Sequence, residues 1–195
     1  MEFQYTLGAT PLDPDEAAGL VPLHITTQVD LNAWEQANIA IGDQWAARQN
    51  KRELLHEGFV RDLHRQMFDR RWQWAGTFRQ SNKNIGVDWT QVAVKLSELL
   101  DNTRHQIENN VFNKDEVVVR FHHQLVLIHA FPNGNGRHAR LMADLLIMRL
   151  GQKRLTWGGA NASLSPAGSI REKYLKALRA ADQGQIEGLL EFAKS

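Results

Sequence analysis

The sequence predicts an all-α fold, and three features of the chain indicate it. Apolar residues recur at intervals of three and four along most of the chain, which is the spacing of one face of an α-helix. Capping residues and glycines divide these stretches into separate helices. Only residues 77–87 have the composition of paired strands. We therefore expect a helical bundle that carries one small β-hairpin.

Seven helices are expected after an irregular start. Pro11, Pro14 and Pro22 predict irregular structure over the first 30 residues, because proline interrupts helices. The apolar stripes of the helices, in chain order, contain Trp34, Ala37, Ile41 and Trp45; Leu55, Phe59, Leu63 and Met67; Val94, Leu96, Leu99 and Leu100; Val117, Phe121, Leu125 and Ile128; Leu141, Met142, Leu145, Leu146 and Met148; Tyr174 and Leu178; and Leu189, Leu190 and Phe192.

Several helix ends have recognisable signals. Thr90, Asn113 and Ser169 precede apolar stripes and are candidate N-caps, and Glu116 completes a capping box with Asn113. Gly151 is expected to end the fifth helix. That helix has apolar residues on more than one face, which predicts a central position in the bundle.

The expected hairpin lies between the second and third helices. Thr77-Phe78-Arg79 and Ile85-Gly86-Val87 are its predicted arms, and the polar cluster at 81–84 is its predicted turn.

Composition excludes several classes of function. The chain of 195 residues is 43% hydrophobic, which suits one globular domain, and its 23 basic and 22 acidic residues nearly balance. This balance provides no electrostatic case for a membrane surface or for direct binding of nucleic acid. Because there are no cysteines, disulfides, thiolate zinc sites and cysteine nucleophiles are excluded. A reducing cytoplasm is the compartment we expect.

Two arginines stand at the predicted start of the fifth helix. Arg137 and Arg140 are three residues apart and share one face of its first turn. A helix N-terminus already carries partial positive charge, so two cations are unfavourable there unless an anion is bound. Gly134 and Gly136 allow the backbone N–H groups to approach an oxyanion closely. The segment therefore predicts a polyphosphate cradle.

His129 lies on the other side of the same loop. A histidine near neutrality can take a proton from an attacking hydroxyl group. Phe131 and Pro132 are expected to stiffen and anchor the loop. A polyphosphate held beside a base indicates phosphoryl or nucleotidyl transfer. The chain has no P-loop lysine pattern, which argues against an ordinary P-loop kinase or GTPase.

The segment resembles the signature of the Fic (Fido) family, His-x-Phe-x-(Asp/Glu)-Gly-Asn-Gly-Arg-x-x-Arg. Flanking segments resemble the family too: Leu63-His64, residues 74–79 and Ala180-Ala181-Asp182. The resemblance covers roughly residues 50–193 and is closest to the group called mobile mystery protein B. It implies a Fic core domain over 50–193, preceded by an extension and support helix over 1–49. The matching residues of the signature are His129, Phe131, Gly134, Asn135, Gly136, Arg137 and Arg140.

The resemblance also implies an activity and its residues. The expected reaction moves AMP from ATP to a Ser, Thr or Tyr hydroxyl of a target protein, with His129 as the base. Gly134, Asn135 and Gly136 would form the anion hole. Asn135 and Arg137 would bind the α and β phosphates, and Arg140 would bind the γ phosphate.

Two further regions follow from the resemblance. The hairpin would be a flap that clamps an extended target segment through backbone hydrogen bonds, as in β-augmentation. Its expected target-binding residues are Phe78, Arg79, Ile85 and Gly86. Tyr174 and Asp182 are expected near the adenosine.

Asn133 departs from the signature. The family has an acid there that binds Mg²⁺, whereas an amide oxygen coordinates more weakly. The resemblance implies ATP as substrate and Mg²⁺ as cofactor. Because an amide replaces the acid, we expect Asn133 to be a weak metal ligand.

Regulation has two open explanations. Many Fic proteins are inhibited by a glutamate that pairs with the second signature arginine, here Arg140. Glu16 is the candidate in this chain, although Leu12 and Ala17 replace the usual flanking residues. The other explanation is an antitoxin, a small helix-turn-helix partner.

Two other functions remain as alternatives. The first is phosphate transfer as in the related Doc toxins, which carry alanine, asparagine and lysine where this chain has Gly134-Asn135-Gly136. The glycines here favour AMP transfer. The second alternative is a non-catalytic nucleotide-binding module that lost metal binding at Asn133.

Overall fold

The regular elements of the protein are helices. The structure, a computed structural model, describes residues 39–159 and 169–195, together with positions 13, 16, 18, 19 and 21. Within these residues there are helices and no β-strand, which confirms the predicted all-α class. None of the described helices is both long enough and apolar enough to cross a membrane.

Six helices have both ends within the described ranges. A single 3₁₀ turn, Trp89–Gln91, leads into α2. The helices are α1 (Glu57–Phe68), α2 (Val92–Glu108), α3 (Lys114–Ile128), α4 (Asn135–Arg149), α5 (Ser169–Asp182) and α6 (Glu187–Lys194). Residues 39–47 are also helical and belong to the helix expected from Leu31; its expected start, with Trp34 and Ala37, lies outside the described residues.

The antiparallel pair α3 and α4 is the centre of the fold. These two helices share the most extensive contact in the molecule, with α2 packed on α3 and α1 on α4. Helices α5 and α6 pack together and close the bundle against α3. α4 buries residues around its whole circumference, as its sequence predicted. Burial of each large apolar side chain here contributes about 1.5–3 kcal/mol to the free energy of folding. This packing stabilises the two helices that hold the loop between α3 and α4.

Local signals placed some helix ends correctly and one incorrectly. The side chain of Asn113 accepts a hydrogen bond of 2.9 Å from the N–H of Glu116, as the capping box predicted. Thr90 was expected to cap α2, and this was wrong. The chain inserts a 3₁₀ turn before α2, and Asp88 caps that turn with a carboxylate that accepts from the Thr90 N–H at 2.9 Å, whereas Gln91, at the N-cap position of α2, makes no side-chain capping bond.

The predicted β-hairpin does not form strands. Residues 77–88 run as an irregular loop, which we call the flap. The physical reason is the guanidinium of Arg79, which lies between the two arms of the flap. It donates hydrogen bonds to the carbonyl oxygens of Ser81 and Val87, and these replace hydrogen bonds between strands.

Candidate active site

The loop between α3 and α4 begins with a left-handed residue. His129 has φ 53° and ψ 57°, a conformation that side chains other than glycine rarely adopt. Its N–H still bonds to the carbonyl of Leu125 at 3.4 Å, so it is both the end of α3 and the start of the loop. The side chain is 5% exposed. The chain therefore turns sharply at the residue that the sequence predicts to be the base.

The loop is closed by a side chain from the first turn of α4. Asn135 accepts a hydrogen bond from the N–H of Phe131 at 2.9 Å and donates one to the carbonyl of Phe131 at 2.7 Å. Both polar ends of this amide are thereby engaged. We expected Asn135 to bind phosphate; the side chain serves the loop instead, which leaves the backbone N–H of Asn135 as the group that can face an anion.

Phe131 anchors the loop in the core. It is fully buried, its ring stacks on His64 with centroids 3.7 Å apart, and it meets the edge of His138 at 5.2 Å. His64 connects this anchor to the segment before the flap, because its Nδ1 accepts from the N–H of Gly76 at 3.0 Å. Its Nε2 lies 3.1 Å from the carbonyl of Asn133 and donates to it. Burial lowers the pKa of His64 well below its ordinary value, so the ring is neutral.

The N-terminus of α4 is open toward the loop. Gly134 caps it with φ 80°, and a Cβ there would lie 2.6 Å from Cζ of Phe68, so only glycine fits. The first hydrogen bond of the helix joins the His138 N–H to the Gly134 carbonyl, so three backbone N–H groups precede it. Around Gly136 there is space, since the nearest atom to a methyl group added there would be the Tyr174 hydroxyl at 3.8 Å.

Arg137 and Arg140 place positive charge near the N-terminus of α4. The guanidinium of Arg137 lies 5.6 Å from the ring of Phe68, and that of Arg140 lies 5.5 Å from the ring of Tyr174. Burial, Arg140 and Arg171 lower the pKa of Arg137 to about 9. Burial lowers the pKa of Arg140 as well, against the opposing effect of Tyr174 and Asp144. Both arginines remain charged at neutral pH.

Of the arginines in the site, Arg140 has the side chain best able to pair with an incoming anion. In the described part of the chain, no carboxylate forms an ion pair with Arg140, and no acceptor takes a hydrogen bond from it. A half-buried guanidinium without such a partner is costly, because charges in low-dielectric surroundings are normally paired. The arrangement is therefore suited to an anion that supplies the missing negative charge.

His129 is neutral at physiological pH. Burial lowers its pKa to about 4, with further lowering by the charges of Arg79 and Lys83 and a partial opposing effect from a backbone hydrogen bond at Val126. A neutral imidazole is the form that accepts a proton. Negative phosphates placed nearby would raise this pKa, because they stabilise the imidazolium.

The four flap residues expected to bind a target are divided by the structure. The side chain of Ile85 is 46% exposed. Phe78 instead packs 5.7 Å from Phe131, and Arg79 is 2% exposed. Gly86 has φ 106° and lies so close to the loop that a Cβ on it would be 2.8 Å from Cβ of His129. Ile85 faces outward, whereas the other three residues support the loop between α3 and α4.

The two residues expected near adenosine lie apart. Tyr174 is 6% exposed, next to Gly136 and Arg140, and its hydroxyl lies 3.1 Å from Nε2 of His122. Asp182 is two turns further along α5 and accepts from His123 at 2.8 Å. Eight residues of helix correspond to about 12 Å, so the two side chains occupy different regions of the site face. Of the two residues, Tyr174 is the one that lies beside the N-terminal part of α4.

Asn133 fits a metal ion only as one weak ligand. Its Oδ1 accepts from the N–H of Gly134 at 2.7 Å, and among the described residues no cluster of three or more His, Asp or Glu side chains could hold a metal ion. Mg²⁺ in nucleotide sites takes most of its ligands from phosphates and water, usually with a carboxylate. The residues present therefore allow Mg²⁺ mainly as a companion of the nucleotide.

Glu16 lies against the flap. Its carboxylate accepts a hydrogen bond from Nζ of Lys83 at 2.6 Å, and Lys83 also bonds to Asp13 at 2.7 Å. Nε1 of Trp74 donates to the Glu16 carbonyl at 2.9 Å. The structure thus brings Glu16 together with Lys83, a side chain that is 2% exposed, and places no pairing between Glu16 and Arg140.

Sequence reasoning overlooked two cations of the site. Arg171 adds to the positive charge around Arg137 and Arg140. It stands three residues before Tyr174 in α5, and this helical spacing was a usable signal. Lys83 acts on His129 from the flap, but a lysine in a polar turn cluster gives no sequence signal that it will be buried.

The chain is similar to several known proteins. A model of the Fic/DOC family matches residues 54–147. A protein named probable protein adenylyltransferase of Aquifex aeolicus is 36% identical over 66 residues, which are 34% of this chain and 17% of that protein. Protein adenylyltransferase Fic of Aedes aegypti is 28% identical over 120 residues, 60% of this chain and 22% of that protein. This chain thus spans about a fifth of the curated relatives it matches.

A solved structure supports the fold independently. The N-terminal Fic domain of a cell filamentation protein from Bartonella quintana, solved with bound ADP, aligns with a TM-score of 0.66 at 16% identity. The alignment covers 88% of this chain and 86% of that one. At this identity the likeness establishes the fold.

Proposed function

The chain belongs to the Fic/DOC family through residues 54–147, and we propose that it transfers AMP from ATP to a hydroxyl side chain of a target protein. The single observation that carries the proposal is Arg140. Its half-buried guanidinium has no carboxylate partner among the described residues and lies 5.5 Å from the ring of Tyr174. A polyphosphate would supply both the charge and the acceptors that this arginine and the helix N-terminus lack.

The proposed chemistry uses a neutral base at the edge of this cradle. The target hydroxyl oxygen attacks the α phosphorus of ATP, and the bond from that phosphorus to the oxygen bridging to the β phosphate breaks. Pyrophosphate leaves, and the hydroxyl proton goes to a ring nitrogen of His129. The low pKa of His129 keeps the ring unprotonated until the phosphates are bound.

Positive charge then holds the polyphosphate through the reaction. We assign Arg137, Arg140 and the N–H groups of Asn135 and Gly136 to the phosphates, since the N–H of Gly134 is bonded to Asn133. Mg²⁺, bound with the nucleotide, would neutralise part of the phosphate charge, and Asn133 is the protein ligand available to it. Preorganised charge of this kind commonly provides the largest share of catalysis in such sites.

Two observations support AMP transfer over phosphate transfer. Both relatives in the comparison are named protein adenylyltransferases. In addition, the surroundings of Gly136 are open, with no atom within ordinary contact distance except the Tyr174 hydroxyl. A lysine at this position, as in Doc-like proteins, would fill that space.

We propose that the target approaches along the flap. Ile85 in the flap and Trp89, which directly follows it, are exposed apolar side chains, at 46% and 42%. The flap has no strand partner among the described residues, so an extended target segment could pair with its backbone. Such pairing favours a segment of any sequence that is extended and accessible.

The experiment uses ATP labelled at either the α or the γ phosphate. The protein is incubated with candidate targets and Mg²⁺, alongside His129→Ala and, as a matched control, His105→Ala, which changes an exposed histidine of α2. Label from the α position should appear on protein with the wild type and with His105→Ala, and should be lost with His129→Ala. Label from the γ position should stay off protein.

Each other result has a definite meaning. Transfer of the γ label alone would replace AMP transfer by phosphate transfer. Equal α labelling with and without His129 would remove this residue as the base. Tight ATP binding with no labelling of any target by the wild type would indicate a nucleotide-binding module.

Control by a partner is the form of regulation that we propose, with the reaction in the cytoplasm. Glu16 is bonded to Lys83, so in this arrangement it does not block Arg140. An inhibitory group would then come from a small partner protein acting as an antitoxin. Self-labelling of Glu16→Gly tests this: no gain over the wild type, together with silencing by the small partner protein, supports an external inhibitor, whereas a large gain supports internal inhibition by Glu16.

A further inference from the structure

One buried arginine joins the flap to the catalytic loop. The Arg79 side chain donates from Nε to the carbonyl of His129 at 2.6 Å, and from its terminal nitrogens to the carbonyls of Ser81, Val87 and Ile128. Its own backbone N–H donates to the carbonyl of Ala130 at 3.0 Å. A single residue thus bonds to three successive carbonyls, 128 to 130, around the proposed base.

The carbonyls of Ile128 and His129 lie at the C-terminal end of α3, where they have no partner inside the helix, and the carbonyl of Ala130 belongs to the loop that follows. The last turn of a helix has unpaired carbonyl groups and partial negative charge. A cation there is favourable, and a planar guanidinium can satisfy several acceptors at once. Since Arg79 is 2% exposed, water cannot take over this role if the arginine is removed.

His129 requires such support because its backbone is left-handed. Side chains with a Cβ adopt this conformation only when the surroundings hold it. The bond from Arg79 to the His129 carbonyl fixes the peptide that follows the residue. Gly86 presses on the other side, where it leaves room for no Cβ next to His129. The backbone and the Cβ of His129 are therefore positioned jointly by Arg79 and Gly86.

We propose that Arg79 is a positioning residue: its guanidinium holds the His129 peptide in the left-handed conformation that aims the base at the reaction, and thereby couples the flap to the base. The proposal rests on the proposed AMP transfer for its effect on rate. It replaces the expectation that the Arg79 side chain contacts the target, because the side chain is buried under the flap.

The first variant is Arg79→Lys, which keeps the positive charge but loses the planar set of donors of the guanidinium. A lysine ammonium is a compact point donor and cannot reach carbonyls on both the flap and the loop. The matched control is Arg104→Lys in α2, where a guanidinium likewise donates to a carbonyl, that of Leu55 at 2.8 Å. Each variant loses one guanidinium, but only the guanidinium of Arg79 bonds to the carbonyl of His129.

Two measurements separate positioning from general destabilisation. Arg79→Lys should lower kcat for AMP transfer about 100-fold, the typical effect of a reacting group displaced by an ångström. ATP affinity should stay within about threefold, because Arg137 and Arg140 are unchanged. Arg104→Lys should match the wild type in both. If Arg79→Lys retains full kcat, or loses ATP affinity and kcat together, the proposal is wrong.

A second variant covers a failure of Arg79→Lys to fold. Gly86→Ala keeps the Arg79 residue but adds a Cβ that would lie 2.8 Å from Cβ of His129 and 2.9 Å from a terminal nitrogen of Arg79, so it strains the same contact from the flap side. It should lower kcat in the same way with ATP affinity retained, and full activity would contradict the coupling. Gly151→Ala is its control, since it also changes a left-handed glycine but has no atom within 4 Å of the added methyl group.

A spectroscopic measurement separates this inference from the proposed function. The ¹³Cα and ¹³Cβ chemical shifts of labelled His129 report its backbone conformation without any reaction. They should indicate a left-handed residue in the wild type and shift toward other conformations in Arg79→Lys or Gly86→Ala. A shift change in a protein that transfers no AMP would leave positioning intact and refute the function. Unchanged shifts would refute positioning.

Discussion

Asn135 holds Phe131 by both of its backbone groups, with hydrogen bonds of 2.9 and 2.7 Å from a single side-chain amide. These two hydrogen bonds close the loop that carries His129 and leads into the N-terminus of α4. All of these groups are buried, so no solvent can replace a bond that is lost. The loop therefore depends on one amide of the signature for its shape.

Replacement of this amide should destabilise the protein. Asn135→Ala leaves the N–H and the carbonyl of Phe131 buried without partners, which should lower the free energy of unfolding by about 2–4 kcal/mol. Urea denaturation measures this change. Asn82→Ala is the control, because Asn82 also makes two hydrogen bonds but is exposed. If the two variants lose equal stability, Asn135 does not hold the loop.

Arg140 should strengthen ATP binding without stabilising the unbound protein. Arg140→Gln should weaken ATP binding about 10- to 100-fold, because a charge-assisted phosphate contact is lost. It should leave the melting temperature without ATP unchanged or higher, since a poorly paired buried charge is removed. Arg120→Gln in α3, where the arginine pairs with Glu116 at 2.7 Å, should not change ATP binding. Calorimetry with ATP checks both variants, and wild-type affinity in Arg140→Gln would refute the cradle.

The buried histidines should make the protein sensitive to acid. His129 and His138 each have a pKa lowered from 6.5 to about 4, so the unfolded chain binds their protons first. Their neutral forms are compatible with the fold above pH 6.5, and stability should fall as the pH drops from 6.5 toward 4. The slope should approach about 1.4 kcal/mol per pH unit for each histidine.

Urea denaturation at several pH values measures this slope. His138→Gln should reduce it, because glutamine can still donate to the Val60 carbonyl but does not titrate in this range. His105→Gln, on an exposed face of α2, should leave the slope unchanged. A slope that His138→Gln does not alter would show that this histidine is not buried in its neutral form.

The metal requirement should depend on Asn133. Asn133→Asp provides a carboxylate where the protein has an amide, so less Mg²⁺ should be needed for half-maximal AMP transfer. The hydrogen bond from the Gly134 N–H can be kept, because a carboxylate oxygen also accepts it. Asn102→Asp on the exposed face of α2 is the control. A Mg²⁺ requirement that is unchanged or higher in Asn133→Asp would exclude Asn133 as a metal ligand.

The sequence predicted what depends on local periodicity and on the signature. The helices, the Asn113 cap and the central position of α4 follow from spacing that neighbouring residues share. The flap was predicted wrongly as a hairpin, because the hydrogen bonds of Arg79 to carbonyls up to 50 residues away decide its shape. The role of Asn135 was missed for a related reason: a polar residue in a phosphate motif does not reveal which of its atoms the fold will use.

The electrostatics of the site also required the structure. A depressed pKa at His129 follows from burial and from Arg79 and Lys83, which are distant in sequence. Lys83 in turn is paired with Asp13 and with Glu16, the residue that the sequence analysis named as a possible inhibitor. Tertiary contacts of this kind leave no pattern in a single sequence.

Intact-mass analysis of target proteins tests AMP transfer by His129 most directly. Candidate targets are incubated with ATP and Mg²⁺ and with either the wild type or His129→Ala, and each target is weighed by mass spectrometry. We predict that one target gains the mass of a single AMP group with the wild type and none with His129→Ala. A gain equal to one phosphate, or an AMP gain that persists without His129, would contradict this prediction.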